Sequence, residues 1–145
     1  MTLDVAAPTG ARDSLLRWAI RLDATGVGLI GLVVGAFAGP FARLTGLTPG
    51  WSYGIAAAFV FYGALGNWLA GRRAIRPVGT GLSLFNFVGA VGQIAIIPAG
   101  LLPLTGAGKA VMVAFGLYAL VFGVLQLLGV RRLACLSERR AKWIP

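Results

Sequence analysis

The residues that could carry chemistry in this chain are a few polar side chains set in long apolar stretches. They are one carboxylate and four amides: Asp23, Asn67, Asn86, Gln93 and Gln126. A buried amide or carboxylate in hydrocarbon is costly without a hydrogen-bond partner, so these side chains should face a bundle interior. We expect Asn67, Asn86 and Gln126 to lie at one depth near the cytoplasmic helix ends, within reach of Asp23. Gln93 lies alone at mid-depth.

Two interpretations of this polar layer stay open. It is either an interhelical clamp, in which each bond contributes on the order of 0.5–1 kcal/mol, or a site that binds a solute or a partner's polar group. Asp23 has a further interpretation as the N-cap of the first span. Tyr62 and Tyr118 could direct hydroxyls towards the same interior, although aromatic residues at helical spacing usually belong to the core or face lipid.

The composition excludes several kinds of reaction. The chain has no histidine, so imidazole-held zinc, bis-histidine haem and His-activated nucleophiles are not expected. Cys135 is the single cysteine and has no partner for a disulfide. The acids are Asp4, Asp13, Asp23 and Glu138. If Asp23 lies at the edge of a span, no acidic residue lies at the middle depth of the membrane. We therefore predict a non-enzymatic protein without cofactor or metal.

The elements that must position these residues are membrane-spanning helices. The chain is 58% hydrophobic and 12% charged, and a helix needs roughly 20 residues to cross the hydrocarbon. Charge-free stretches predict an all-α, polytopic membrane protein built as a four-transmembrane-helix bundle. The predicted spans cover residues 24–42, 51–71, 80–101 and 110–130. A cytoplasmic segment, residues 1–23, contains a short amphipathic helix, and residues 131–145 form a basic cytoplasmic tail.

The basic residues predict the orientation. Eleven of the thirteen flank the starts of spans one and three and the ends of spans two and four, and the other two are Arg43 and Lys109. The positive-inside rule then predicts a multi-pass membrane protein with both termini in the cytoplasm. This distribution explains the net charge of +9 by contact with anionic headgroups, without nucleic acid.

Local signals predict where the helices begin and end. The first 23 residues lack the apolar core of a cleavable signal, so span one is retained. The amphipathic pattern from Asp13 is either a separate interfacial anchor or the first turns of span one. Pro40 predicts the end of span one, and Pro98 predicts a kink or end in span three. Residues 106–109 predict a short extracellular turn.

Glycine spacing predicts a face for close helix packing. The residues concerned are Gly28, Gly31, Gly35 and Gly39. Such a stripe lets two backbones approach, and it is compatible with packing inside the bundle, a homo-oligomer seam or a pore. The patterns of residues 27–39 and 44–46 recur at 88–100 and 104–106. This leaves open a duplication of two helical hairpins that share one orientation.

Some local sequences resemble a known group of proteins. Residues 21–23 (Arg-Leu-Asp), 38–42 (Ala-Gly-Pro-Phe-Ala) and 44–47 (Leu-Thr-Gly-Leu) are similar to those of small, uncharacterised bacterial four-helix integral membrane proteins. The size and span count also resemble DoxX-like membrane proteins. These resemblances imply the fold and topology, and they assign no catalytic or binding residue.

Two classes of function are compatible with these features. The first is a structural, accessory or assembly component of a membrane complex, with a membrane protein partner or a homo-oligomer. The second is a small carrier or channel for a neutral or weakly charged solute. The glycine stripe favours the first, and the amide layer with the predicted kink favours the second.

Overall fold

The computed structural model describes residues 13–141, with side chains for residues 13–135. Residues 1–12 of the predicted N-terminal segment and 142–145 of the basic tail lie outside this part. Within it, every regular element is a helix. The helices are α1 (Ser14–Ala36), α2 (Ala38–Thr45), α3 (Pro49–Ala70), α4 (Ile75–Ala99) and α5 (Gly106–Ala141). All but α2 are long and apolar enough to cross a membrane, which confirms the predicted all-α bundle with four such helices.

The bundle consists of two hairpins. α1 packs mainly against α3, and α4 packs mainly against α5. α5 also touches α1, whereas α3 and α4 hardly contact each other. The glycines of the two similar half-sequences differ in environment. A Cβ on Gly28 would lie 3.4 Å from the Gly63 Cα, whereas a Cβ on Gly89 would meet nothing within 4 Å.

One end of the bundle is closed by an apolar cluster. Leu16 and Ile20 of α1 pack with Ala70 at the end of α3 and Ile75 at the start of α4, and all are nearly inaccessible. The Arg17 guanidinium donates to the Ala70 carbonyl, so α1 also caps α3 here. We call this the basic end, because most of the described arginines lie on the helix segments that meet here or in the connection from α3 to α4: Arg17, Arg21, Arg72, Arg73, Arg76, Arg131 and Arg132.

The predicted amphipathic helix and the first span are one continuous helix. α1 begins at Ser14, with Asp13 at the N-cap position, and runs without a break to Ala36. Asp23 therefore lies inside the helix, and its interpretation as the N-cap of the first span is wrong. Charge-free stretches place the span start too late, because a helix can carry a charged residue into the bundle when its side chain faces inward.

At the opposite end of the bundle, the end of α1, the short helix α2 and the start of α5 lie close together. α1 ends at Ala36, earlier than predicted, and Pro40 lies in the first turn of α2, where proline costs no helical hydrogen bond. The turn predicted at residues 106–109 is wrong, because α5 already begins at Gly106. Gly108 packs against the Thr45 carbonyl, and the Thr105 amide donates to that same oxygen at 3.0 Å. These backbone contacts leave no space for a side chain at Gly108.

The ends of α3 and α4 follow recognisable signals. Thr48 is the N-cap of α3, and its hydroxyl accepts from the Trp51 amide, with proline at the next position. α4 begins at Ile75, five residues before the predicted start. The prediction for Pro98 is confirmed, because α4 ends at Ala99 and Gly100 follows with a φ of 62°. This early start places Asn86 near the middle of α4 rather than near its end.

The predicted glycine face packs inside the chain over most of its length. A Cβ on Gly31 would lie 2.9 Å from the Ala56 carbonyl oxygen, and one on Gly35 would lie 3.4 Å from the Ala56 Cβ. With Gly28 against Gly63, three glycines of the stripe contact α3. Gly39 lies in α2 and faces only the Arg43 side chain, so its assignment to this packing face is wrong.

Candidate functional site

The centre of the site is the carboxylate of Asp23. Its side chain is buried, with 1% of its surface exposed. The Oδ2 atom accepts three hydrogen bonds: from the Tyr62 hydroxyl at 2.6 Å, from Asn86 Nδ2 at 2.9 Å and from Gln126 Nε2 at 2.9 Å. These donors belong to α3, α4 and α5, so one oxygen of α1 connects all four long helices.

The second carboxylate oxygen has a different environment. Asp23 Oδ1 is buried and has no hydrogen-bond partner. Among the described side chains, no arginine or lysine forms an ion pair with Asp23, and Arg17 pairs with Asp13 at 3.6 Å instead. A buried carboxylate without a neighbouring cation is costly in a low-dielectric bundle. Among the described residues, this oxygen therefore has neither a hydrogen-bond donor nor an ion-pair partner.

Asn86 and Gln126 meet as predicted. Asn86 Nδ2 donates to Gln126 Oε1 at 3.2 Å in addition to Asp23, and both side chains are buried. Nearby, the Ser83 hydroxyl donates to the Gly123 carbonyl at 2.8 Å, which fixes α4 against α5. Asn86 and Gln126 therefore contact each other in a polar layer, as predicted. Asn86 lies farther from the start of its helix than predicted, because α4 starts earlier.

Asn67 does not join this layer. Its side chain is exposed and donates to the Thr25 hydroxyl at 3.2 Å and to the Gly63 carbonyl at 2.9 Å. Tyr62 occupies the inward position of α3, and Asn67 is turned roughly 140° away from it at about 100° per residue. The expectation that Asn67 points inward is therefore wrong, because depth alone does not fix a helix face.

The two tyrosines belong to the cluster. Tyr62 makes the shortest bond to Asp23, and the Tyr118 hydroxyl donates to the Asp23 backbone carbonyl at 3.2 Å. A Cβ on Gly26 would lie 2.6 Å from that hydroxyl, so a glycine is required there to admit Tyr118. The sequence indicated that these hydroxyls could face the interior, but no pattern in the sequence indicated the role of Gly26.

A cavity lies beside this cluster, and we call it the aromatic cavity. Its volume is about 160 Å³, and it lies between α3 and α4, the two helices that hardly touch. Its polar lining consists of Tyr62, Asn86, Gln93 and Tyr118, and its apolar wall includes Phe59, Phe85 and Phe115. The Phe85 ring stacks on Tyr62 with centroids 5.6 Å apart.

Gln93 lies away from the Asp23 cluster, at the other side of the aromatic cavity. Its Oε1 is buried and has no hydrogen-bond partner. A second cavity of about 160 Å³ lies towards the opposite end, and it shares Gln93, Phe59 and Phe115 with the first. These two rings meet edge to face with centroids 5.4 Å apart. The prediction that Gln93 has no second amide at its level agrees with this placement.

The fold and the site together define a class: a polytopic helical membrane bundle with a buried carboxylate beside an aromatic cavity. Comparison of the chain with protein-family models, with curated proteins and with solved structures finds no match. The resemblance to small four-helix bacterial membrane proteins and to DoxX-like proteins therefore stays a prediction. Function has to be argued from the side chains themselves.

Proposed function

We propose that the protein is a small membrane carrier that binds a solute in the aromatic cavity next to Asp23. The observation that carries this proposal is the buried Asp23 carboxylate, one oxygen of which has no hydrogen-bond partner among the described residues. An ionisable residue inside a membrane bundle is expensive to retain, and its usual role is in a substrate or ion pathway. The proposed role is non-enzymatic and requires only that the solute binds and is released.

The alternative of an accessory component has less support. That hypothesis depended on the glycine stripe as a surface for a partner helix. Gly28, Gly31 and Gly35 are instead occupied by α3 of the same chain. A purely structural clamp would also use both carboxylate oxygens, whereas Asp23 Oδ1 has no donor.

The proposal includes an orientation in the bacterial cytoplasmic membrane. The arginines at the basic end favour a cytoplasmic location for that end, with both termini on the same side. The apolar cluster around Leu16 and Ile75 lies between the Asp23 cluster and the basic end. The two cavities lie on the other side of Asp23, so this state is closed towards the cytoplasm.

The structure offers a matched pair of variants to test the carrier. Gly89 and Gly81 both lie on α4, and a Cβ at either position meets nothing within 4 Å. Only Gly89 lines the aromatic cavity. Gly89→Leu should therefore fill the cavity without a backbone clash, and Gly81→Leu is its control. Replacement of glycine in a helix also favours the helix by up to about 1 kcal/mol.

The measurement is uptake into proteoliposomes of three radiolabelled solutes with equal numbers of non-hydrogen atoms: methylguanidinium, methylurea and methanesulfonate. We expect wild type and Gly81→Leu to take up at least one of them faster than protein-free vesicles, and Gly89→Leu to match the protein-free rate. Absence of uptake for all three solutes, or equal uptake by the two leucine variants, would show that the cavity is not a transport site.

A further inference from the structure

We propose that the solute is a small organic cation that carries N–H donors, such as an ammonium or guanidinium group on a short apolar body. This inference rests on the carrier proposed above and names its substrate class. It follows from the hydrogen bonds in which Tyr62, Tyr118 and Asn86 already use their hydrogen atoms.

The two tyrosine hydroxyls present acceptors to the cavity. Tyr62 donates its proton to Asp23 Oδ2, and Tyr118 donates its proton to the Asp23 carbonyl. A hydroxyl has one hydrogen and two lone pairs, so each oxygen that lines the cavity retains only acceptor capacity. The short bond to a carboxylate also increases the negative charge on the Tyr62 oxygen.

The amides add to this pattern. Asn86 Nδ2 uses its two hydrogens on Asp23 Oδ2 and Gln126 Oε1, so the amide atom that remains is the carbonyl Oδ1. Gln93 Oε1 is buried without any donor. The cavity therefore gathers acceptor oxygens from α3, α4 and α5, and a solute that binds here must donate to them.

Charge selects a cation among the possible donors. The Asp23 carboxylate has no ionic partner among the described side chains and lies directly behind Tyr62 and Asn86. Coulomb attraction to a cation is strong where the surroundings are poorly polarisable. The rings of Phe59, Phe85 and Phe115 add negative π faces, and a cation near such a face gains on the order of 0.5–2 kcal/mol. A solute anion would meet the lone pairs of the Tyr62, Tyr118 and Asn86 oxygens and would be repelled by the carboxylate behind them.

The cavity also limits the size of the solute. Its volume of about 160 Å³ is close to that of the roughly 150 Å³ apolar cavity that accommodates benzene in another protein. A cation with a short alkyl group or a small ring fits, and a peptide or a lipid headgroup with its chains does not.

The experiment compares two isosteric probes, methylguanidinium and methylurea, in calorimetric titrations of the purified full-length protein in a mild detergent. The probes differ by the replacement of a carbonyl oxygen with a charged N–H group. We expect wild type to bind methylguanidinium at least about tenfold more tightly, which corresponds to about 1.4 kcal/mol. Asp23→Asn, which retains an acceptor oxygen for the three donors, should bind both probes with equal affinity.

A second variant keeps the inference testable if Asp23→Asn does not fold. Phe85 is 61% exposed and stacks on Tyr62, so Phe85→Leu removes an aromatic face and this one stack but leaves the buried core unchanged. It should weaken methylguanidinium binding by about threefold to tenfold more than it weakens methylurea binding. Leu84→Ala is the control, because Leu84 is 63% exposed and does not line the cavity.

The outcomes separate this inference from the carrier itself. Methylurea binding that equals or exceeds methylguanidinium binding would overturn the cation assignment and leave the carrier in place. A cation preference that persists in both Asp23→Asn and Phe85→Leu would also overturn it. Failure of wild type to bind either probe, together with absence of uptake in proteoliposomes, would overturn the carrier as well.

Discussion

Replacement of Asn86 by leucine tests whether the polar cluster stabilises the bundle. Asn86 is 7% exposed and donates to both Asp23 and Gln126. Interhelical hydrogen bonds in membrane proteins contribute about 0.6 kcal/mol each, so the two bonds give about 1.2 kcal/mol. The variant also leaves Gln126 Oε1 without a donor, and an unsatisfied buried acceptor raises the expected loss to about 2 kcal/mol.

Asn67→Leu is the matched control for this substitution. The side chain change is the same, but Asn67 is exposed and bonds to the exposed Thr25. We expect its free energy of unfolding to remain within about 0.5 kcal/mol of wild type, the usual range for surface substitutions. The sequence alone gave these two asparagines equivalent positions, so the difference between them is a consequence of the structure.

The free energy of unfolding can be measured by titration with dodecyl sulfate in a mild detergent, with helicity followed by circular dichroism. Refolding on dilution of the dodecyl sulfate establishes reversibility. The reasoning would be refuted if Asn67→Leu were as destabilising as Asn86→Leu, or if Asn86→Leu left the free energy of unfolding unchanged.

Two further predictions concern packing and topology. Gly31→Leu should lower the free energy of unfolding by about 1–3 kcal/mol, because its Cβ would press on the α3 backbone. Gly39→Leu should leave the free energy of unfolding nearly unchanged, since Gly39 faces only the Arg43 side chain. Equal unfolding free energies for the two variants would contradict this prediction. Reporter fusions after Pro145 and within residues 46–48 should report opposite sides of the membrane, with the Pro145 fusion cytoplasmic, and activity on the same side for both would exclude the proposed topology.

Much of the fold could be predicted from the sequence. Apolar length indicated the four long helices, Pro98 indicated the end of α4, and the glycine spacing indicated a face of α1 for close helix packing. These features depend on local chemistry, such as the missing amide hydrogen of proline or the missing Cβ of glycine. Local chemistry is visible in a single sequence.

The site could be predicted only in part, because it depends on which face of each helix is turned inward. In a membrane, lipid-facing and buried surfaces are both apolar, so hydrophobic periodicity does not separate the faces of α3. Asn67 and Tyr62 are both plausible inward residues by composition, and only the packing against Gly28 and Ala24 decides between them. The depth of Asp23 was missed for a related reason, since charge marked it as a boundary.

The clamp and the binding site, which the sequence left as alternatives, depend on the same hydrogen bonds. The donors that join α3, α4 and α5 to Asp23 hold the helices together. Two of these donors, Tyr62 and Asn86, also line the aromatic cavity, and because their hydrogens are used within the cluster, their remaining polar capacity is that of acceptors. Asparagine at position 23 separates the two effects, since it keeps an acceptor oxygen and removes the charge. A structural role alone would give Asp23→Asn a lower free energy of unfolding and unaltered selectivity. The site inferred here gives a modest change in stability and the loss of the preference for a cation.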